Sequence, residues 1–420
     1  MKTNDRQLTE LMKEVDSGAA QLPDFQRGWV WDDGRIRALI LSVIHNFPVG
    51  AAMFLEYGNE SIHFKHKPIG VSLTVFELVT AIFAMDDFQL RQDWKERQEK
   101  YFSGDLLSKV TATDFLTALT LLSSFKAGGT VSCKKKDVLA LTLDNYKKYA
   151  DSLCSGFSLA EKLLKEERIF SSDDLPYSTQ LIPLSAVCTV LMDGNRIHTT
   201  SVKNMVKQWY WCGVFGELYG SANETRYAND IVQVVKWIND GSDLPKTVTD
   251  FYFYPMRLLG LQSRQSAAYK GVMALILKNH ARDFISGAEM DFSTFSDEKI
   301  DIHHIFPKDY CIKEGYDKRK WNSVVNKTPI SASSNREIGG YAPSVYLGKL
   351  EKKGSVTSAD LDGYVETHWI DHNLLRADDF QNFIIDRAKK LLSAIEAATG
   401  RTISGKDSEE VQQAFGAPLN

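Results

Sequence analysis

Cysteine is scarce and poorly placed for covalent or metal chemistry. The five thiols, at positions 133, 154, 188, 212 and 311, are odd in number, scattered, and form no CxxC pair. That excludes a disulfide framework and a four-cysteine zinc site, and it is the usage of a reduced compartment. Long apolar runs are missing too. The longest, Ala38 to Ile44 (broken by Ser42) and Val272 to Leu277, are far too short to span a bilayer, so no membrane association is expected. The first residues, Met1-Lys2-Thr3-Asn4-Asp5-Arg6, lack the apolar region of a signal peptide, and the expected location is the cytoplasm. Excess positive charge is also absent: 50 Lys and Arg stand against 54 Asp and Glu, a net charge of −4. Coating of nucleic acid through bulk charge is thereby excluded, and an acidic partner has to be met by a local patch. Neither an internal repeat nor a low-complexity tract is found.

What is present is a large core. Hydrophobic residues make up 43% and aromatics 11% of 420 residues, enough for two or three globular domains. The expected fold class is α+β, predominantly helical, in three regions. Residues 1–70 read as a small mixed α/β N-terminal domain. Leu8, Leu11, Met12 and Val15 have helical spacing, as do Ile36, Leu39, Ile40, Val43 and Ile44. Two short strands are expected at 51–56 and 61–65. Residues 71–285 read as a helical middle, with segments Thr74–Met85, Ser158–Phe170, Thr200–Tyr219, Ala228–Asn239 and Ser266–Phe284. The third of these carries an aromatic stripe, Trp209, Tyr210, Trp211, Phe215 and Tyr219, with two readings: packing between helices, or stacking on exposed bases. Residues 286–420 form the third region. It closes with an amphipathic helix, Ala377–Thr399, stopped by Gly400. From Ser404 onward a frayed tail is expected.

The chemistry is concentrated in Asp301-Ile302-His303-His304-Ile305-Phe306-Pro307, followed by Asn326-Lys327-Thr328-Pro329 and Ser334-Asn335-Arg336. Neighbouring residues on a strand point to opposite faces, so the two histidines need not share a task. One can ligate a cation while the other, neutral near pH 7, takes a proton from water. Asparagine oxygens and carboxylates suit Mg²⁺ or Mn²⁺. A divalent ion can stabilise charge that develops on a phosphate. Together these parts make a workable one-metal phosphodiesterase. Between Lys308 and Lys353 ten Lys or Arg face five acids, an excess of +5 that leaves −9 for the rest of the chain. Phosphate tracking requires such a local patch, although solvated lysines on an exposed face would give the same count.

The order of these residues resembles the HNH, or ββα-metal, nuclease motif. More specifically it resembles the C-terminal nuclease domain of the GmrSD-type modification-dependent restriction endonucleases, whose pattern reads DxHHIFP…C…NSxxNKTPxS…NRxIGGxAPSxYL. Here that pattern runs from Asp301 through Cys311, Asn322 to Ser331 and Asn335 to Leu347, about 47 residues. The resemblance implies an HNH nuclease domain over 286–420 with His304 as the general base. His303 stands where the family often has an aspartate metal ligand, and Asn335 where the last asparagine binds the ion. Asp301 is implied as a further ligand or as a partner orienting a histidine. Asn326 is the middle asparagine and is expected to organise a loop, with Arg336 in support. Cys311 beside His303 leaves open a zinc reading.

Leu22-Pro23-Asp24-Phe25-Gln26-Arg27-Gly28-Trp29-Val30-Trp31 is similar to the family's N-terminal pattern IPxFQRxxVW, and Pro48-Val49-Gly50 and Leu73 to Ala81 fit its continuation. Gln26, Arg27 and Trp31 are therefore candidates for DNA or nucleotide contact, against the alternative that the aromatics here are core. One departure stands out: the family's DGQQRLT nucleotide motif occurs nowhere in the chain. Only 23 residues separate Gly50 from Leu73, and Lys67 to Ser72 reads as two family segments joined without the middle. A natural deletion, an engineered one or a partial sequence would each produce this joint. NTP is accordingly not an expected cofactor.

The expected protein is thus a cytoplasmic phage-defence endonuclease or nickase acting on DNA, foremost modified phage DNA. An incomplete N-terminal sensing domain (1–70) would act through a helical coupling region (71–285), and self-association into a homo-oligomer is left open. Two other readings fit the same residues: a non-catalytic DNA- or partner-binding relic crippled by the missing segment, and a regulated toxin acting on host DNA.

Overall fold

The computed structural model describes residues 74–221, 223–241, 243–291, 300–352 and 356–420, together with 13, 17, 21–23 and 66–68. The expectations at Gln26, Arg27 and Trp31, and for the helices and strands between residues 24 and 65, lie outside the described residues. The chain divides into two compact units, residues 1–96 with 138–143, and residues 97–137 with 144–420.

In the first unit, strand β1 (Gln21–Pro23) pairs antiparallel with β2 (His66–Pro68). Helix α1 (Val75–Ala84) begins where the sequence places it. Its cap is a reciprocal pair: the Glu77 amide donates to the Thr74 hydroxyl at 3.2 Å, and the Thr74 amide donates to the Glu77 carboxylate at 2.7 Å.

The second unit is mainly helical. Helices α2 (Ala112–Ala127), α3 (Leu143–Glu166), α4 (Leu181–Asp193), α5 (Thr200–Phe215), α6 (Glu224–Asp240) and α7 (Ala267–Lys278) enclose an aliphatic and aromatic core. The inward face of α3 runs through Tyr146, Ala150, Leu153, Phe157, Ala160 and Leu164, the spacing of one helical stripe. Gly156 lets α4 approach closely, since a Cβ there would lie 2.0 Å from Thr189 Oγ1 and 2.5 Å from the Ser185 carbonyl. The stripe on α5 is core: Trp209, Tyr210, Trp211, Phe215 and Tyr219 are each at most 3% exposed. Base stacking by these rings is thereby excluded.

The expected segments missed the first half of α3, a helix at Leu90–Tyr101, and the whole of α2 and α4. Both α2 and α4 are buried nearly all round, so neither shows a one-sided apolar stripe, and α4 also begins with a proline at its third residue, Pro183. The C-terminal end also differs from expectation. Instead of fraying, Glu409–Phe415 is a helix, and Val411, Phe415 and Leu419 are at most 2% exposed. Three apolar residues within nine positions are enough to dock the segment.

The remaining elements build the region of interest. Strand β3 (Ile300–His304) pairs antiparallel with β4 (Lys327–Ser331). Between them lie the short helices α8 (Lys308–Lys313) and α9 (Lys318–Trp321). Directly after β4 comes α10 (Ala332–Ile338), then α11 (Pro343–Lys352) and the long α12 (Phe380–Thr399), which Asp379 caps and left-handed Gly400 ends. No helix among the described residues is long and apolar enough to cross a membrane.

Candidate active site

The register sets the two histidines apart. His303 lies opposite Thr328 and His304 opposite Lys327, so the imidazoles fall on different faces of the hairpin. His303 is 3% exposed and packed edge-on between Phe284 and Tyr346. His304 is half-buried beside Trp321.

On the His303 face a chain of polar contacts runs outward. His303 Nδ1 lies 2.9 Å from Asn335 Oδ1, Asn335 Nδ2 donates to Asp301 Oδ2 at 2.7 Å, and Arg264 donates to Asp301 Oδ1 at 3.0 Å. An amide oxygen only accepts, so Nδ1 carries the imidazole proton here and Nε2 keeps a lone pair. That Nε2 is buried without a hydrogen-bond partner. Burial pushes the His303 imidazole down to about 4, so it is neutral near pH 7, as a ligand must be. Burial also pushes the Asp301 carboxyl up, but Asn335, the Ile302 amide and Arg264 together hold it below its ordinary value.

Asn335 is fixed by its helix, and the helix by a buried acid. Ser331 caps α10 by accepting from the Ser334 amide. Asp283, 1% exposed, accepts from the Ser331 amide at 3.0 Å and the Ser334 hydroxyl at 2.6 Å. On the strand side, His368 accepts from the Thr328 hydroxyl at 2.7 Å through Nδ1 and donates to the Arg282 carbonyl through Nε2. Buried Arg387 of α12 donates to the carbonyls of Val325, Lys327 and His368. Strand β4 is therefore held from behind by α12.

On the other face, His304 Nε2 lies 3.4 Å from Asn322 Oδ1, which leaves Nδ1 as the acceptor nitrogen. Burial and the nearby Lys327 ammonium both lower its pKa, with a smaller push from Lys308. Asn326 is buried and spans two segments of the loop. Its Oδ1 accepts from the Phe306 amide, and its Nδ2 donates to the carbonyls of Phe306 and Trp321, all at 2.8 Å. Arg336 is exposed on α10. Cys311 is buried, donates to the Phe306 carbonyl and has its thiol pushed up to about 12 by burial.

Among the described residues no three His, Cys, Asp or Glu side chains converge, so a histidine- and acid-rich cage is not what this site offers. The donor set is instead mixed: an imidazole nitrogen, an amide oxygen and a carboxylate linked in one chain. As it stands, His303 Nδ1 is committed to its 2.9 Å hydrogen bond with Asn335 Oδ1, so the three side chains would hold a divalent cation together only once that hydrogen bond has opened. Asp301, 42% exposed at its side chain, gives the chain an open end.

Several residues here were not singled out from the sequence. Asn322 lay within the motif but four residues before the asparagine that drew attention. Arg264 and Gln262 come from the turn before α7, 37 residues or more upstream of Asp301, and belong to no motif. Asp283, His368 and Arg387 are isolated polar residues whose role depends on tertiary packing.

No family model matches the chain. It is 27% identical over 292 residues to an uncharacterized protein of Methanocaldococcus jannaschii, an alignment that covers 67% of this chain and 48% of that protein. The chain therefore spans about half the length of the curated relative it matches.

Proposed function

We propose that the chain is a divalent-cation-dependent DNA endonuclease or nickase of the HNH type, related to the modification-dependent restriction enzymes its motifs resemble. The observation that carries this reading is the hairpin-plus-helix unit β3–β4–α10. It gathers His303, Asn335 and Asp301 on one side and leaves the neighbouring His304 outside that network, available for the base role. Exposed Lys308, Lys313, Lys318, Arg319, Arg336 and Lys349 nearby support a polyanionic substrate. In this reading His303, Asn335 and Asp301 hold Mg²⁺ or Mn²⁺, which supplies charge neutralisation at the phosphate and its leaving oxygen. His304 Nδ1 takes a proton from water as the water oxygen bonds to phosphorus. The P–O3′ bond breaks, and the departing oxygen acquires a proton from solvent. Asn322 orients the imidazole from Nε2, and Asn326 holds the loop that carries both.

The test is Mn²⁺ binding by calorimetry alongside nicking of supercoiled DNA, modified and unmodified. Asn335→Ala is expected to weaken Mn²⁺ binding at least about tenfold, with nicking restored in part by excess Mn²⁺. Unchanged binding would remove the ligand assignment. A second reading, a DNA-binding relic without catalysis, draws on the missing DGQQR motif. It predicts DNA binding without nicking under every cation and nucleotide condition.

A further inference from the structure

The turn between Leu261 and Ser266 is a separate stretch of chain, yet it is fastened to the site at several points. The Val324 amide donates to the Leu261 carbonyl at 2.8 Å, and Lys327 Nζ donates to the Gln262 carbonyl at 2.9 Å. Asn322, the partner of His304, also reaches Gln262 Oε1 at 3.4 Å. The turn is braced internally, with the Ser266 amide on the Ser263 carbonyl and the Gln265 amide on the Ser263 hydroxyl. From this braced turn Arg264 extends to Asp301 Oδ1, its side chain 58% exposed. A guanidinium has five donors in a planar fork suited to phosphate oxygens. An ion pair this exposed is worth little, so exchanging one anionic oxygen for another costs little.

We infer that Arg264 is a substrate-binding residue: its guanidinium grips a phosphate of the DNA backbone beside the Asp301–Asn335 end of the site, and the Asp301 carboxylate stands in for that phosphate when DNA is absent. This rests on the nuclease reading above and extends the site beyond the motif, to a residue of the helical region. It also gives that region a direct hold on the substrate, through the same turn that braces Asn322 and Lys327.

The test compares Arg264→Gln and Asp301→Asn in the full chain, by fluorescence anisotropy on a short labelled duplex in EDTA, where nothing is cut. Both substitutions break the same ion pair, so a purely structural pair would shift DNA affinity in the same direction in both. A phosphate grip predicts opposite shifts. Arg264→Gln should bind several-fold more weakly, with the slope of log K against log salt shallower by about 0.9, one phosphate contact. Asp301→Asn, which frees the guanidinium and removes a negative charge, should bind as tightly as wild type or more so. An unchanged salt slope in Arg264→Gln, or a loss of the same size in both variants, overturns the inference while leaving the nuclease reading intact. A wild-type chain that binds no DNA overturns both.

Discussion

Two kinds of polar network are buried in the second unit, and they differ in how they end. In the helical part, Asp230 is 1% exposed and accepts from Trp209 and Thr247 at 3.1 and 2.6 Å and from Tyr219. Burial raises its carboxyl pKa despite those donors. Glu167, equally buried, accepts from Trp211 and pairs with Lys207 and Lys278. Burial pushes its carboxyl up, yet the lysines and the indole together keep it below its ordinary value. The Asp230 network is closed over by helices, whereas that of Glu167 reaches the surface through Lys278, whose side chain is 42% exposed. The chain from His303 through Asn335 and Asp301 to Arg264 starts as deep but surfaces at Asp301 and Arg264, and its inner end keeps an unpaired nitrogen. A closed network stabilises helix packing; one whose outer ion pair is exposed on both sides can exchange partners there, as a site must.

That contrast predicts a ranking of stability losses. Asp230→Ala should cost most, since it strands three buried donors at about 1–3 kcal/mol each; urea unfolding should show a midpoint far below wild type. A small shift would mean the network is not closed. Next, Phe415→Ala should cost about 3–5 kcal/mol, because the C-terminal helix is docked rather than frayed; unchanged stability would return that segment to a loose tail. Acid should cost somewhat less. Burial pushes His368 down to about 3 and His303 down to about 4, so between those values and the ordinary 6.5 the unfolded chain binds more protons than the folded one. Their stabilisation is complete above about pH 6.5 and is lost as pH falls below it. Urea midpoints should therefore drop from pH 7 to pH 5, by less in His368→Gln. A rise on acidification would contradict the assignment. Smallest of all, Asp301→Asn should change stability by less than about 1 kcal/mol, although it sits in the open network. A loss as large as that of Asp230→Ala would erase the distinction.

Much of this architecture was legible in the sequence. The segment Thr74–Met85 matched α1, Gly400 marked the end of α12, and the 3.6-residue periodicity found several of the amphipathic helices. It failed for α2 and α4, where burial on every side removes the periodic signal, and it missed the first half of α3 and the polar helix Leu90–Tyr101. At the site, the motif supplied His303, His304, Asn326 and Asn335 because they lie close in sequence and on adjoining elements. The partners that orient them, Asn322, Asp283, His368 and Arg387, and the neighbouring Arg264, are brought in by packing. Nothing in their local sequence distinguishes an arginine that tethers a strand from one that sits in solvent.

The most direct measurement of the central claim is nicking of supercoiled DNA by the wild-type chain and by His304→Ala, with Mg²⁺ or Mn²⁺ and with DNA binding followed in parallel. The account predicts cation-dependent nicking by the wild type, and in His304→Ala its abolition with DNA binding nearly intact. Nicking by His304→Ala at the wild-type rate would contradict it.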